Sequence, residues 1–122
     1  MARIATVLVA VVALLHVGFL VLEMFLWNTP TGHRTFNLTP EFAAQSAVLA
    51  ANQGLYNGIL AAGLIWGLLA RDGGNAIKTF FLVSIVVAGL YGGVTAKTSI
   101  LFIQALPAAL ALGALLMARR QA

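Results

Sequence analysis

The stretch IATVLVAVVALLHVGFLVL, residues 4–22, decides the fold class, because it runs for 19 residues without a charged side chain. A membrane span needs roughly 20 mainly apolar residues at a rise of about 1.5 Å each. Three further charge-free stretches of similar or greater length follow, over residues 42–70, 79–96 and 98–118. Since the four stretches take up most of the 122 residues, the sequence predicts an all-α membrane protein.

The composition excludes several other classes of protein. Apolar residues make up 61% and charged residues 8% of the chain, and the mean hydropathy is +1.00. A soluble domain carries about 25% charged residues on its surface. The absence of cysteine excludes disulfides, thiol nucleophiles and cysteine-ligated metals. The seven basic residues are spread along the chain, whereas a nucleic-acid-binding protein clusters them, so we expect no nucleic-acid partner.

Breaker and capping residues divide the chain into four predicted transmembrane helices within a single domain, residues 1–122, at about 4–27, 40–70, 76–96 and 98–117. Thr39 and Pro40 form a typical helix start, and Asn75 is the predicted cap of the third span. Four spans place five cations on one side: Arg3, Arg71, Lys78, Arg119 and Arg120. Arg34 and Lys97 lie on the other side. We expect the four spans to form a four-helix bundle. Because positive residues stay in the cytoplasm, both termini should be cytoplasmic.

In this orientation the polar side chains of all four spans fall in the outer half of the membrane. Glu23 and His16 are seven residues apart and share one face of the first span. The candidate ligand-binding residues of the other spans are Asn52, Gln53, Tyr56, Asn57, Tyr91, Thr95, Lys97 and Gln104. The first four of these cover an arc of about 140°, which we interpret as one polar face. Because polar groups in hydrocarbon normally face the protein interior or a wet cavity, the pattern predicts a polar pocket.

Glu23 and His16 are the candidate catalytic residues, since a carboxyl group and an imidazole can exchange protons with a ligand. Structural roles for these polar residues stay open beside the catalytic role. Glu23 could form a clamp with Lys97, His16 could donate an interhelical hydrogen bond, and the amides could hold helices together. We predict no metal site, because zinc takes three or four protein ligands and the chain has only two histidines. No phosphate loop or other cofactor motif is present, so no cofactor is expected.

Five segments carry a resemblance to a known family: LEMFLW (22–27), LTPEF (38–42), ANQGLYNG (51–58), AGLYG (88–92) and FIQ (102–104). They resemble the small bacterial membrane proteins called domain of unknown function 1304, over nearly the whole chain. The resemblance implies four helices in the bacterial cytoplasmic (inner) membrane and supplies no activity. The family has Gln-Gly in its fourth helix where this chain has Gln104-Ala105, a difference that concerns packing.

We therefore expect a polar pocket that binds a small amphipathic or lipid-like molecule among the membrane lipids, with acid/base chemistry at Glu23 as an open question. Two alternatives stay open: a proton-coupled exporter resembling the small multidrug resistance transporters, and a structural subunit of a membrane complex. The unequal distribution of cations disfavours the antiparallel dimers of those transporters. An alternating-access site also belongs near the membrane midplane, whereas the predicted polar residues lie in the outer half. Rows of small residues four apart predict close helix packing, within the chain or in a homo-oligomer.

Overall fold

The computed structural model describes all 122 residues, and it is helical without any β-strand. The helices are α1 (Ala2–Met24), α2 (Pro30–Phe36), α3 (Pro40–Leu69), α4 (Gly74–Thr95) and α5 (Leu106–Gln121), with a π-helical turn (Leu101–Ala105) directly before α5. Four segments are long and apolar enough to cross a membrane, namely α1, α3, α4 and the π-helical turn continued by α5. The predicted all-α class with four helices of spanning length is confirmed.

The chain forms two compact units. Residues Leu14–Ala61 form the first, which we call the central unit; it contains the end of α1, all of α2 and the first part of α3. Met1–Ala13 and Ala62–Ala122 form the second, which we call the terminal unit.

In the central unit, the short helix α2 lies between the first two spans, where the sequence predicts no helix. Thr29 starts α2 in two ways: its hydroxyl accepts a 3.3 Å hydrogen bond from the Gly32 N–H and donates one of 2.6 Å to the Leu26 carbonyl. Pro30 occupies the first position of the helix, where its missing N–H costs nothing. The helix ends at Phe36 and is capped by Asn37, whose φ of 54° is left-handed, a conformation that asparagine tolerates well.

The two following helix starts show one correct and one wrong prediction. α3 begins at Pro40, and Thr39 caps it by accepting a 3.2 Å hydrogen bond from the Phe42 N–H. The predicted cap at Asn75 is wrong, because α4 already begins at Gly74 and the cap is Gly73 with a φ of 72°. A side chain at Gly74 would meet the Gly67 carbonyl oxygen at 2.6 Å. Glycine is therefore needed at both positions, for backbone conformation at one and for space at the other.

In the terminal unit, α4 packs closely against the π-helical turn. A Cβ atom on Gly89 would lie 2.7 Å from the backbone nitrogen of Ala105 and 2.9 Å from its Cα. The turn closes with a hydrogen bond from the Leu106 N–H to the Leu101 carbonyl, five residues earlier. Pro107 explains this widening, because its ring would collide with the carbonyl four residues earlier in a regular α-helix.

Candidate functional site: a carboxyl–amide pair in the central unit

The structure brings together two of the predicted site residues, Glu23 and Asn57. Glu23 lies in the last turn of α1 and accepts a 2.6 Å hydrogen bond from Nδ2 of Asn57 in α3. Both side chains are half-buried, and both helices are long and apolar enough to span a membrane. The amide thus supplies a hydrogen bond that the hydrocarbon surroundings cannot.

Two glycines of α3 permit this contact. A Cβ atom on Gly54 would lie 2.7 Å from Cγ of Met24 and 3.1 Å from Cβ of Glu23. A Cβ atom on Gly58 would collide with the Leu20 side chain. Because neither glycine has a side chain, α1 approaches the backbone of α3 closely. Asn57, which lies between them in the chain, can therefore reach the Glu23 carboxyl group.

His16 is fully buried, with 0% of its surface exposed. Its ring packs edge-on against Phe19, with 5.2 Å between the ring centroids. The seven residues between His16 and Glu23 correspond to about 10 Å along α1, which is too far for a direct hydrogen bond. A proton could pass between these two groups only through an intervening molecule.

The other predicted residues differ in their surroundings. On α3, the exposed polar residues are Asn52, Gln53 and Tyr56. The polar face predicted for α3 is divided between two directions, because Asn57 meets α1 whereas Asn52 and Tyr56 point away from it. Tyr91, Thr95 and Lys97, all exposed, belong to the terminal unit together with the partly buried Gln104. The Thr95 hydroxyl donates to the Tyr91 carbonyl of its own helix at 2.7 Å.

Nowhere in the 122 residues do three His, Cys, Asp or Glu side chains form a group that could hold a metal.

Sequence reasoning missed a contact one turn beyond Glu23. The indole N–H of Trp27 donates a 2.9 Å hydrogen bond to the Ser46 hydroxyl, and its ring lies 4.7 Å from that of Phe36. The available signal was periodicity, because Ser46 precedes Asn57 by eleven residues, or about three turns, and so shares its face of α3. Trp27 and Ser46 thereby join the segment after α1 to α3, beyond the Glu23–Asn57 pair.

Comparison with known proteins identifies a family and a bacterial relative. The family described as "Protein of unknown function (DUF1304)" matches residues 10–116. The chain belongs to this family. An uncharacterized protein, YpaA, of Lactococcus lactis subsp. lactis (strain IL1403) is 34% identical over 108 residues, which cover 87% of this chain and 91% of that protein. No solved structure matches the chain. The predicted resemblance is confirmed, and the span that matches the DUF1304 family includes both Glu23 and Asn57.

Proposed function

We propose that this protein binds a small amphipathic or lipid-like molecule in the bacterial cytoplasmic membrane, through the Glu23–Asn57 pair. The observation that carries the proposal is a half-buried carboxyl group, on a helix of spanning length, with one protein hydrogen bond at 2.6 Å. A carboxylate offers about four acceptor positions, and Asn57 occupies one of them. The others suit the N–H or O–H donors of a ligand.

The side chains near Glu23 suggest what the rest of the ligand is like. Phe19 and Leu20 lie one turn before Glu23 on the same side of α1, and both are half-buried. An apolar tail can lie against these residues while an amine or hydroxyl head binds the carboxyl group. Glu23 is also the group that would exchange a proton with such a ligand, so acid/base chemistry belongs to the same proposal.

A dodecylammonium probe tests this proposal with the protein in lipid nanodiscs. We expect Glu23→Gln to weaken its binding about 10- to 100-fold, since the variant keeps the shape and loses a charge-assisted hydrogen bond. Glu41→Gln is the matched control, because Glu41 is exposed in the first turn of α3, and it should bind like the wild type. Equal binding by the wild type and Glu23→Gln, after correction for partitioning into lipid, would contradict the proposal.

The proposed topology has both termini in the cytoplasm. Arg3 lies at the start of α1, Arg71 follows α3, and Lys78 lies early in α4, while Arg119 and Arg120 occupy the last turn of α5. Arg34 in α2 and Lys97 after α4 are the two cations at the opposite helix ends. The positive-inside rule supports this orientation, and it places Glu23 toward the outer surface.

Because the chain has no cysteine, single cysteines can test the topology. We expect a membrane-impermeant maleimide to label Thr98→Cys in intact cells and to label Gln121→Cys only after the membrane is permeabilised. Both positions are exposed, so access to the reagent depends on the side of the membrane. The reverse pattern would invert the proposed topology and move Glu23 toward the cytoplasm.

A further inference from the structure

The terminal unit carries a group of basic residues that the proposed ligand site does not use. One lies in the turn between α3 and α4, one in the second turn of α4, and two in the last turn of α5. They are Arg71, Lys78, Arg119 and Arg120. We call this group the basic end.

The packing of α4 against α5 brings these four cations to one end of the unit. Gly93 of α4 lies against Leu101, and Gly89 lies against Ala105, so the two segments run antiparallel in a fixed register. α4 also packs against α5 itself. Continuing the register toward the start of α4 places the last turn of α5 beside the first turn of α4. The four cations therefore lie within about 10 Å of one another along the helix axes.

Lys78 is held in a defined position by α3. A Cβ atom on Gly67 would lie 2.6 Å from Cγ of Lys78 and 3.1 Å from its backbone nitrogen, so the lysine stem packs on the α3 backbone. Side chains of a helix lean toward its N-terminus, which for Lys78 is the direction of the turn that carries Arg71. The half-buried stem thus directs the ammonium group toward the end of the unit.

The chain does not neutralise the basic end. Asp72 is the only acidic side chain of the terminal unit, and no ion pair joins it to a cation. Even with Asp72 and a carboxylate at Ala122 both counted, four positive and two negative charges leave a formal charge of +2. An anionic group from outside the chain would reduce the repulsion among these cations.

Large apolar side chains lie next to the cations, on the side farther from the end of the unit. They are Leu69, Phe80 and Met117, with 77%, 66% and 49% of their surfaces exposed. Each is two residues from a basic residue in the sequence. In a membrane, cations at the end of a span lie at the level of the lipid headgroups, and the apolar residues beside them meet acyl chains. The combination suits an amphipathic anion, because a free phosphate ion would use the cations alone.

We propose that the basic end binds an anionic phospholipid, with the phosphate group at the cations and the acyl chains against Leu69, Phe80 and Met117. Lysine attracts phosphate as a point charge, and arginine donates paired hydrogen bonds to its oxygens. Basic pockets between transmembrane helices bind anionic headgroups in this way. The site lies in the terminal unit, whereas Glu23 and Asn57 lie in the central unit, so it is independent of the ligand proposed there.

The first test compares the two lysines of the terminal unit in phosphatidylcholine vesicles that contain spin-labelled phosphatidylglycerol or spin-labelled phosphatidylcholine. Electron spin resonance measures the association of each labelled lipid with the protein. We expect the wild type to prefer phosphatidylglycerol, and Lys78→Gln to lower this preference about 3- to 5-fold. Lys78→Arg retains the charge and should retain the preference.

Lys97→Gln is the matched control for Lys78→Gln. Lys97 is an exposed cation two residues beyond the other end of α4, so the variant loses the same charge and leaves the basic end intact. It should prefer phosphatidylglycerol as the wild type does. Equal association of both lipids with the wild type, or equal effects of Lys78→Gln and Lys97→Gln, overturns the proposal.

The second test locates the lipid without altering a cation. In a chain without cysteine, Leu69→Cys places a bimane label beside the basic end, and Val94→Cys places one on an exposed position near the opposite end of α4. Brominated phosphatidylglycerol should quench the label at position 69 more strongly than brominated phosphatidylcholine, and the two lipids should quench the label at position 94 equally. Equal quenching by both lipids at position 69 overturns the proposal.

Sodium phosphate distinguishes the phospholipid from a free phosphate ion in the same measurement. Sodium chloride at matched ionic strength serves as the control for screening. We expect the two salts to change the quenching at position 69 to the same extent. Loss of the difference between the lipids in sodium phosphate alone would assign the cations to free phosphate and overturn the proposal.

Discussion

Replacing Gly32 with alanine is expected to destabilise the central unit by about 3 kcal/mol or more, because the new Cβ atom would overlap backbone atoms. That atom would collide with the carbonyl oxygens of Leu26 and Trp27, which directly follow α1. Backbone cannot rotate aside as a flexible side chain can. The Thr29 hydroxyl also holds this corner, by its hydrogen bonds to Leu26 and Gly32, so relief of the collision would break them.

Thermal unfolding in detergent measures the effect, and we expect the melting temperature of Gly32→Ala to fall by about 10 °C or more. Gly18→Ala is the matched control in the same unit, since nothing lies within 4 Å of its added Cβ atom. It should be neutral or slightly stabilising, because alanine favours helix more than glycine does. Equal melting temperatures for Gly32→Ala and the wild type would mean that α2 does not pack against the end of α1.

The spans were predictable because they follow from length and charge alone, while shorter features depend on tertiary contacts. The charge-free stretch 4–22 lies within α1, Ala2–Met24. α2 was missed because Thr29, Pro30 and Gly32 are individually typical of turns, and the packing of Gly32 on the backbone of Leu26 and Trp27 is a tertiary contact. The π-helical turn before Pro107 was missed for a similar reason, since a proline shows that a helix is disturbed and not how it adapts.

The site was predictable in part. Glu23 and Asn57 were singled out as costly polar groups in a span, and the structure joins them by a hydrogen bond. The arc of about 140° between Asn52 and Asn57 is wide enough for its two ends to face different neighbours. The sequence pattern alone could not divide that arc, because the direction in which α1 lies is a tertiary property. The glycines at 54 and 58 mark that direction.

The second large effect that we expect is the selective labelling of Glu23 by an apolar carbodiimide. The chain has three acidic residues, Glu23, Glu41 and Asp72. Only Glu23 is half-buried, whereas Glu41 and Asp72 are exposed near helix ends. An apolar carbodiimide concentrates in hydrocarbon, so it should modify Glu23, while a water-soluble carbodiimide should modify the other two. The three acidic side chains are thus distinguished by their surroundings in one unaltered protein.

Protection of Glu23 from dicyclohexylcarbodiimide by dodecyldimethylammonium tests the central claim most directly, because this tertiary ammonium keeps an N–H donor and cannot form an amide with the activated carboxyl group. The wild-type protein in vesicles is labelled with and without the probe, and peptide mass spectrometry measures the modified fraction of each acidic residue. The account predicts that Glu23 carries most of the label and that the probe lowers this labelling at concentrations where it binds. Label confined to Glu41 and Asp72, or labelling of Glu23 that the probe leaves unchanged, would contradict a ligand site at the Glu23–Asn57 pair.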